Sequence, residues 1–203
     1  MTSSKLPEIK PKKKTGTEKF HNNGTSLPFN LLSFWQWSSS DLLSNSLRGI
    51  LAEFIVASAI SNIDSIRKEW DAYDLEMPEG NKIEVKSASY IQSWSQKKLS
   101  QIQFNIRPTQ RWDSISGTYS TKRIRQAEIY VFCILTHTDK DSIDPLNLQQ
   151  WDFYIIETET LNQAVAEQKT ITLSKLLKLN PLKVKYQDIA LTITETLSNS
   201  SQT

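Results

Sequence analysis

An α/β fold with a mixed central sheet flanked by helices follows from three features of the sequence. Residues 41–60 repeat their apolar side chains at helical spacing. Two alternating segments, 70–77 and 82–89, flank the turn sequence Pro78-Glu79-Gly80-Asn81. Residues 128–135 form a continuous apolar, β-branched and aromatic run, the pattern of a strand buried on both faces. A helix, a hairpin and a central strand in that order belong to one layered α/β domain.

Each element has a local cause. Ser38 to Asp41 is a cluster of helix-start residues ahead of an apolar run. Leu43, Leu47, Ile50, Phe54 and Ser58 fall on one stripe. The second half, 49–60, is apolar almost all round, which predicts a helix buried on most sides, with Glu53 as its single charge. Pro78 and Gly80 are turn chemistry, so the two alternating segments form a hairpin. Residues 101–106 alternate strictly, with Ile102, Phe104 and Ile106 on one face, and read as a third strand. A loop over 107–120 and a helical turn over 120–126 lead into the central strand. Beyond it the sequence predicts a strand at 151–157, a helix at 158–167, a short strand at 170–173, a helix at 173–179 and a last helix at 186–197. Residues 26–197 are thus expected to form a single domain, followed by a frayed tail at 198–203.

Composition narrows the function. The five glycines of the 203-residue chain stand at 16, 24, 49, 80 and 117, so neither G-x-G-x-x-G nor a Walker A loop can be written. The single cysteine, Cys133, excludes intramolecular disulfides and cysteine-rich zinc sites and suits a reducing, cytoplasmic setting. The longest purely apolar run, 129–135, is far short of the roughly 20 residues of a spanning helix, so no membrane association is expected. Charge is unevenly placed. Residues 1–25 hold six lysines against two glutamates and read as a disordered basic arm, whereas the remainder carries 18 basic and 20 acidic side chains. Within that acidic body, residues 97–125 contain Lys97, Lys98, Arg107, Arg111, Lys122, Arg123 and Arg125, opposed only by Asp113. A strip of this kind suits a polyanion, with Lys97, Lys98, Arg107 and Arg111 as contacts to nucleic acid. Gln92, just beyond the hairpin, adds an amide able to contact adenine.

The chemistry concentrates in the hairpin. Asp74 and Glu84 lie symmetrically about position 79; a three-residue loop sets them directly opposite, and a four-residue loop shifts the register by one. Lys86 is two residues beyond Glu84 and shares its face, while Leu75, Ile83 and Val85 belong to the core side. Two carboxylates, with a strand carbonyl such as that of Val85, can hold Mg²⁺, a hard ion that prefers oxygen and keeps several waters. Such an ion lowers the pKa of a bound water and neutralises charge on a phosphate, and the lysine can position that water. Glu53 adds an independent signal, because a lone carboxylate in an apolar helix is costly unless paired or bound to metal.

Asp74, nine residues, then Glu84-Val85-Lys86, preceded by a helix bearing Glu53, resembles the PD-(D/E)XK, or restriction-endonuclease-like, nuclease superfamily. Tyr73 stands where the name-giving proline would be, and Gln126 and Tyr130 form a Q-x-x-x-Y that straddles the start of a strand. The resemblance implies a core of helix, three strands, helix and strand (αβββαβ). It implies that Asp74 and Glu84 bind Mg²⁺ (Mn²⁺ in its place), that Glu53 is an additional acidic ligand, and that Lys86 assists the attacking water. The activity implied is a Mg²⁺-dependent DNA endonuclease of restriction, homing, repair or resolvase type, for which double-strand cleavage favours a homodimer. The alternative is a catalytically inactive nuclease fold that serves as a nucleic-acid-binding or assembly module.

Overall fold

A computed structural model describes residues 6, 9–69, 71–110, 112–113 and 118–200. The chain divides into two compact units, one of residues up to 40 with 64–67, the other of residues 41–63 with 68 onward.

The first unit is a hairpin and a helix. Strands β1 (Lys19–Asn22) and β2 (Thr25–Asn30) pair antiparallel through Asn23-Gly24. Both turn residues have positive φ, 48° and 80°, the geometry that a two-residue hairpin turn demands and that Asn-Gly supplies. The Phe20 and Phe29 rings meet at 5.2 Å. Helix α1 (Leu31–Ser39) starts at a capping box in which the Asn30 side chain accepts from the Ser33 amide at 3.0 Å. The expectation of a disordered arm over 1–25 does not hold for Lys19–Asn22. Counting charge there passed over the Asn-Gly turn, a short-range signal that works without a core. Residues 26–40 cluster with this hairpin.

In the second unit, helix α2 (Asn45–Ala59) begins where the Ser44 hydroxyl accepts from the Leu47 amide. Strands β3 (Leu75–Glu76), β4 (Lys82–Ser89) and β5 (Gln103–Asn105) follow, then the small pair β6 (Trp112–Asp113) and β7 (Thr118–Tyr119). Strands β8 (Ile129–Leu135) and β9 (Trp151–Glu157) lead to helix α3 (Thr158–Val165). Strand β10 (Thr170–Thr172), helix α4 (Leu173–Leu177), strand β11 (Leu182–Val184) and helix α5 (Ile189–Ser200) complete it. The central sheet is five-stranded and mixed, in the order β11-β9-β8-β4-β3, with β4 and β8 parallel and the other neighbours antiparallel. One face packs Ile83, Val85, Val131, Cys133 and Phe153 against Ala52, Ile55 and Val56 of α2 and Ile189 and Ile193 of α5. The other packs Ala88, Phe132, Ile134 and Ile156 against Leu161, Val165, Ile171 and Leu176. No helix among the described residues is long and apolar enough to cross a membrane.

Three expectations differ from this α/β fold. Residues 101–106 do place Ile102, Phe104 and Ile106 inward, but on the second sheet face, where Phe104 meets Phe132 edge-on at 4.8 Å. Strand β5 therefore pairs with β10 instead of joining the central sheet. Alternation specifies which side is buried, not whether the strand lies beside the sheet or across it. The helical turn at 120–126 is absent: Ile124 bridges to Thr109, and Arg125 is pinned by the Ile106 and Gln168 carbonyls and Asn162. The expected αβββαβ order thus loses its third sheet strand and its second helix. Over 49–60 the side chains are buried or half-buried, as expected, except at Ile50 and Phe54. The last helix starts later, at Ile189, and runs on to Ser200, into the stretch expected to fray.

Candidate active site

The hairpin that carries the acidic pair has a three-residue loop. Leu75 pairs with Ile83 and Glu76 with Lys82, and the Met77 amide donates to the Asn81 carbonyl at 2.8 Å. Gly80, at φ +90°, closes the turn by donating to the Met77 carbonyl at 2.9 Å. One residue before these pairs, the Asp74 amide donates to the Ile83 carbonyl at 3.1 Å, which holds Asp74 at the start of β4 beside Glu84.

Asp74 Oδ2 accepts the Val85 amide at 2.7 Å. Glu84 Oε1 accepts Lys86 Nζ, in a pair whose side chains are only 19% and 25% exposed. The second oxygen of each carboxylate accepts no hydrogen bond from the described residues. Burial pushes the Asp74 carboxyl up to about 7, repulsion from Glu84 adds to this, Lys86 opposes it, and Glu53 contributes further repulsion. Glu53, half-buried on α2, is therefore electrically part of the same site. The Val85 side chain faces the opposite way, into the core.

A cleft of about 420 Å³ opens over Asp74 and Glu84, lined also by Glu69, Asp71, Tyr73, Thr109, Gln110 and Tyr119. Among the described residues no three Asp, Glu, His or Cys side chains stand close enough to hold a metal by themselves. The donor set fits a hard ion nonetheless, because it is all oxygen and Mg²⁺ completes its shell with carbonyls, water or substrate phosphate. A desolvated carboxyl held above its usual range beside a second carboxylate is an arrangement that a cation relieves.

The predicted nucleic-acid contacts divide. Lys97, Lys98 and Arg107 are exposed, as are Lys122 and Arg123. Arg111 lies outside the described residues. Arg125 is buried and its guanidinium is spent on the chain itself. Gln92, expected to reach a base, is 6% exposed: its amide donates to the Ser89 carbonyl and Ser100 hydroxyl and accepts Arg48 Nη1 at 3.2 Å. An amide so occupied does not read a groove.

Sequence reasoning missed one neighbour of the site. Tyr130 pairs in register with Glu84 and is buried, with its hydroxyl pushed up first by burial and then by the charge of Glu84. Gln126, four residues earlier, donates to the Thr109 carbonyl at 2.9 Å, which ties down a wall of the cleft. The Q-x-x-x-Y spacing, which spans a strand start, is the signal. Here that start is what sends Gln126 to the loop and Tyr130 to Glu84.

Residues 2–175 match the family model of bacteriophage T4 endonuclease IV. No curated protein matches the chain. The family match spans the hairpin, the cleft and the central sheet, and on it the chain belongs to the bacteriophage T4 endonuclease IV family, a family of endonucleases.

Proposed function

We propose that this protein is a divalent-metal-dependent DNA endonuclease of the PD-(D/E)XK type, with the exposed basic strip holding the substrate. The observation that carries the reading is the convergence of Asp74 and Glu84 across the hairpin, with Lys86 on Glu84 and the Asp74 carboxyl raised to about 7. Membership of an endonuclease family supports the reaction class.

Asp74 and Glu84, with the Val85 carbonyl and Glu53, would hold Mg²⁺ or Mn²⁺, which supplies a water of lowered pKa and neutralises charge on the phosphate. The chain's own side chains do the rest. Glu84 fixes the ammonium of Lys86 beside the carboxylates, where it can hold the attacking water or a phosphate oxygen. Water oxygen adds to phosphorus, the bond from phosphorus to one sugar oxygen breaks, and that oxygen takes a proton. Lys97, Lys98 and Arg107 neutralise backbone phosphates away from the scissile one.

The test is incubation with supercoiled, linear, branched and single-stranded DNA in Mg²⁺, Mn²⁺ or EDTA. Cleavage should need the metal and fall about 10²- to 10³-fold in Glu84→Gln and Lys86→Ala, with circular dichroism unchanged. Undiminished cleavage in both variants overturns the site. A wild-type protein that binds DNA without cutting it under any metal is instead the inactive binding module.

A further inference from the structure

We propose that a second cavity, at the end of the sheet where β4 and β8 begin, binds a linear polyamine. It measures about 360 Å³ and shares no lining residue with the cleft over Asp74 and Glu84. Glu128 just before β8, Glu157 at the end of β9 and Glu159 in the first turn of α3 stand around it. Glu128 spends one oxygen on the Lys82 amide at 2.6 Å, and Glu159 one on the Gln163 side chain at 3.1 Å. Neither forms an ion pair with the described residues. The dipole of α3 favours negative charge at its N-terminus and so accounts for Glu157 and Glu159. It does not account for Glu128, which comes from another strand, nor for Thr158. Thr158 lines the same cavity and is 6% exposed, and its hydroxyl has no hydrogen-bond partner among the described residues. Buried hydroxyls are ordinarily bonded, so one left over at an acidic cavity points to a ligand that donates to it.

The spread of the charges selects the ligand. These carboxylates do not converge closely enough to hold a metal ion by themselves. Carboxylates held apart around a cavity match ammonium groups held apart along a chain, each of which donates several hydrogen bonds. Ala127 and Leu197 give the cavity an apolar side for the methylenes between them. Arg125 reaches this cavity only at Asn162 Oδ1, at 2.7 Å, and its other donors go to the Ile106 and Gln168 carbonyls. The Glu128 amide donates to the Lys82 carbonyl at 3.0 Å, and the Thr158 amide donates to the Glu128 carbonyl at 2.9 Å. The cavity therefore lies where the starts of β4 and β8 are tied to α3, two residues ahead of Glu84 and Tyr130. A polyamine held there cancels negative charge that would otherwise repel a nucleic-acid backbone.

Isothermal titration calorimetry would follow spermidine into the metal-free full chain without DNA, so the outcome does not depend on the nuclease reading. A Glu128→Gln, Glu159→Gln double variant should lose about tenfold in affinity. Gln at 128 retains an oxygen for the Lys82 amide, which preserves the joint between the strands. Glu84→Gln should bind spermidine as the wild type does. Thr158→Val should melt no lower than the wild type, because it removes an unbonded hydroxyl, and should bind severalfold more weakly, with Thr158→Ser restoring the affinity. Magnesium chloride should compete no better than sodium chloride of equal ionic strength. The absence of saturable binding, or equal affinity in the wild type and the double variant, overturns the proposal. Loss of binding in Glu84→Gln does so too, by moving the ligand to the catalytic cleft, as does displacement by magnesium, which would make the cavity a metal site. Should the double variant fail to fold, unchanged binding in Thr158→Val overturns the proposal by itself.

Discussion

Strands β4 and β8 run side by side and parallel, paired from Ile83 with Ile129 to Ser89 with Leu135, yet they are used differently. Every residue of β8 is buried. On β4 only alternate positions are, until Ala88 and Ser89. Along the second sheet face the pairs are Glu84 with Tyr130, Lys86 with Phe132 and Ala88 with Ile134. One strand thus provides the floor and its neighbour the charge. The carboxylate and ammonium sit at the start of β4, while the apolar cluster that includes Ala88 closes over its end. The polar pair is supported by a strand whose only polar side-chain groups are the Tyr130 hydroxyl and the Cys133 thiol, which keeps Glu84 and Lys86 in place without exposing them fully.

The largest effect that tests this division is at Phe132. It is fully buried, edge-on to Phe104 and stacked on Tyr130 at 5.7 Å. Phe132→Ala should cost about 3–5 kcal/mol of stability in urea unfolding. Its register partner behaves oppositely: Lys86→Ala should cost less stability than Phe132→Ala while lowering cleavage about 10²- to 10³-fold. Equal stability losses at the two positions would show that Lys86 is structural and that the contrast between the strands is false.

A smaller effect tests the core side of β4. Arg48 on α2 is 4% exposed and donates to the Leu43 carbonyl and the Asn45 side chain, each at 2.8 Å, and to Gln92 and Ser87 at 3.2 and 3.3 Å. All four acceptors are neutral, and burial lowers the guanidinium pKa. Arg48→Ala strands these acceptors and should cost about 1–3 kcal/mol, with faster amide exchange at Ile91 and Gln92. An unchanged melting temperature and exchange pattern would mean that α2 is held to β4 by apolar packing alone.

The parts legible in the sequence are those set by period and by turn chemistry. β8, β9 and α3 follow from burial pattern, and Pro78 and Gly80 fix the loop that returns the chain so that Asp74 lies beside the start of β4. What escaped is set by partners remote in the chain. Arg125 and Gln92 look like surface residues, because side-chain polarity does not reveal that carbonyls and hydroxyls from other segments will satisfy them inside. The third strand left the sheet because its inward face met Phe132, a residue nearly thirty positions later. The Asn23-Gly24 hairpin is the exception: its signal was local and was masked by the lysines around it.

The smallest expected effect lies one strand further on, where Asp152 of β9 pairs with Ile134 of β8. Lys185 and Lys183 reach its carboxylate at 2.7 and 2.8 Å. Burial alone would raise this carboxyl, but the two lysines outweigh it and hold it below the ordinary carboxylate value. The folded chain then gives up this proton more readily than the unfolded chain, whose aspartate titrates near 3.9. The stabilisation is therefore fully present above that value and is lost as pH falls through the lower, folded pKa. Its size is limited because the lysine side chains are 55% and 40% exposed, so solvent and salt screen them. Asp152→Asn should cost about 1 kcal/mol or less near neutral pH and nothing once pH is below both values. Urea midpoints of the two proteins should accordingly converge on acidification, and 1 M salt should narrow the gap at neutral pH. A difference that persists unchanged into acid would mean that Asp152 acts through its shape and hydrogen bonds, and that the lysines contribute nothing at this strand.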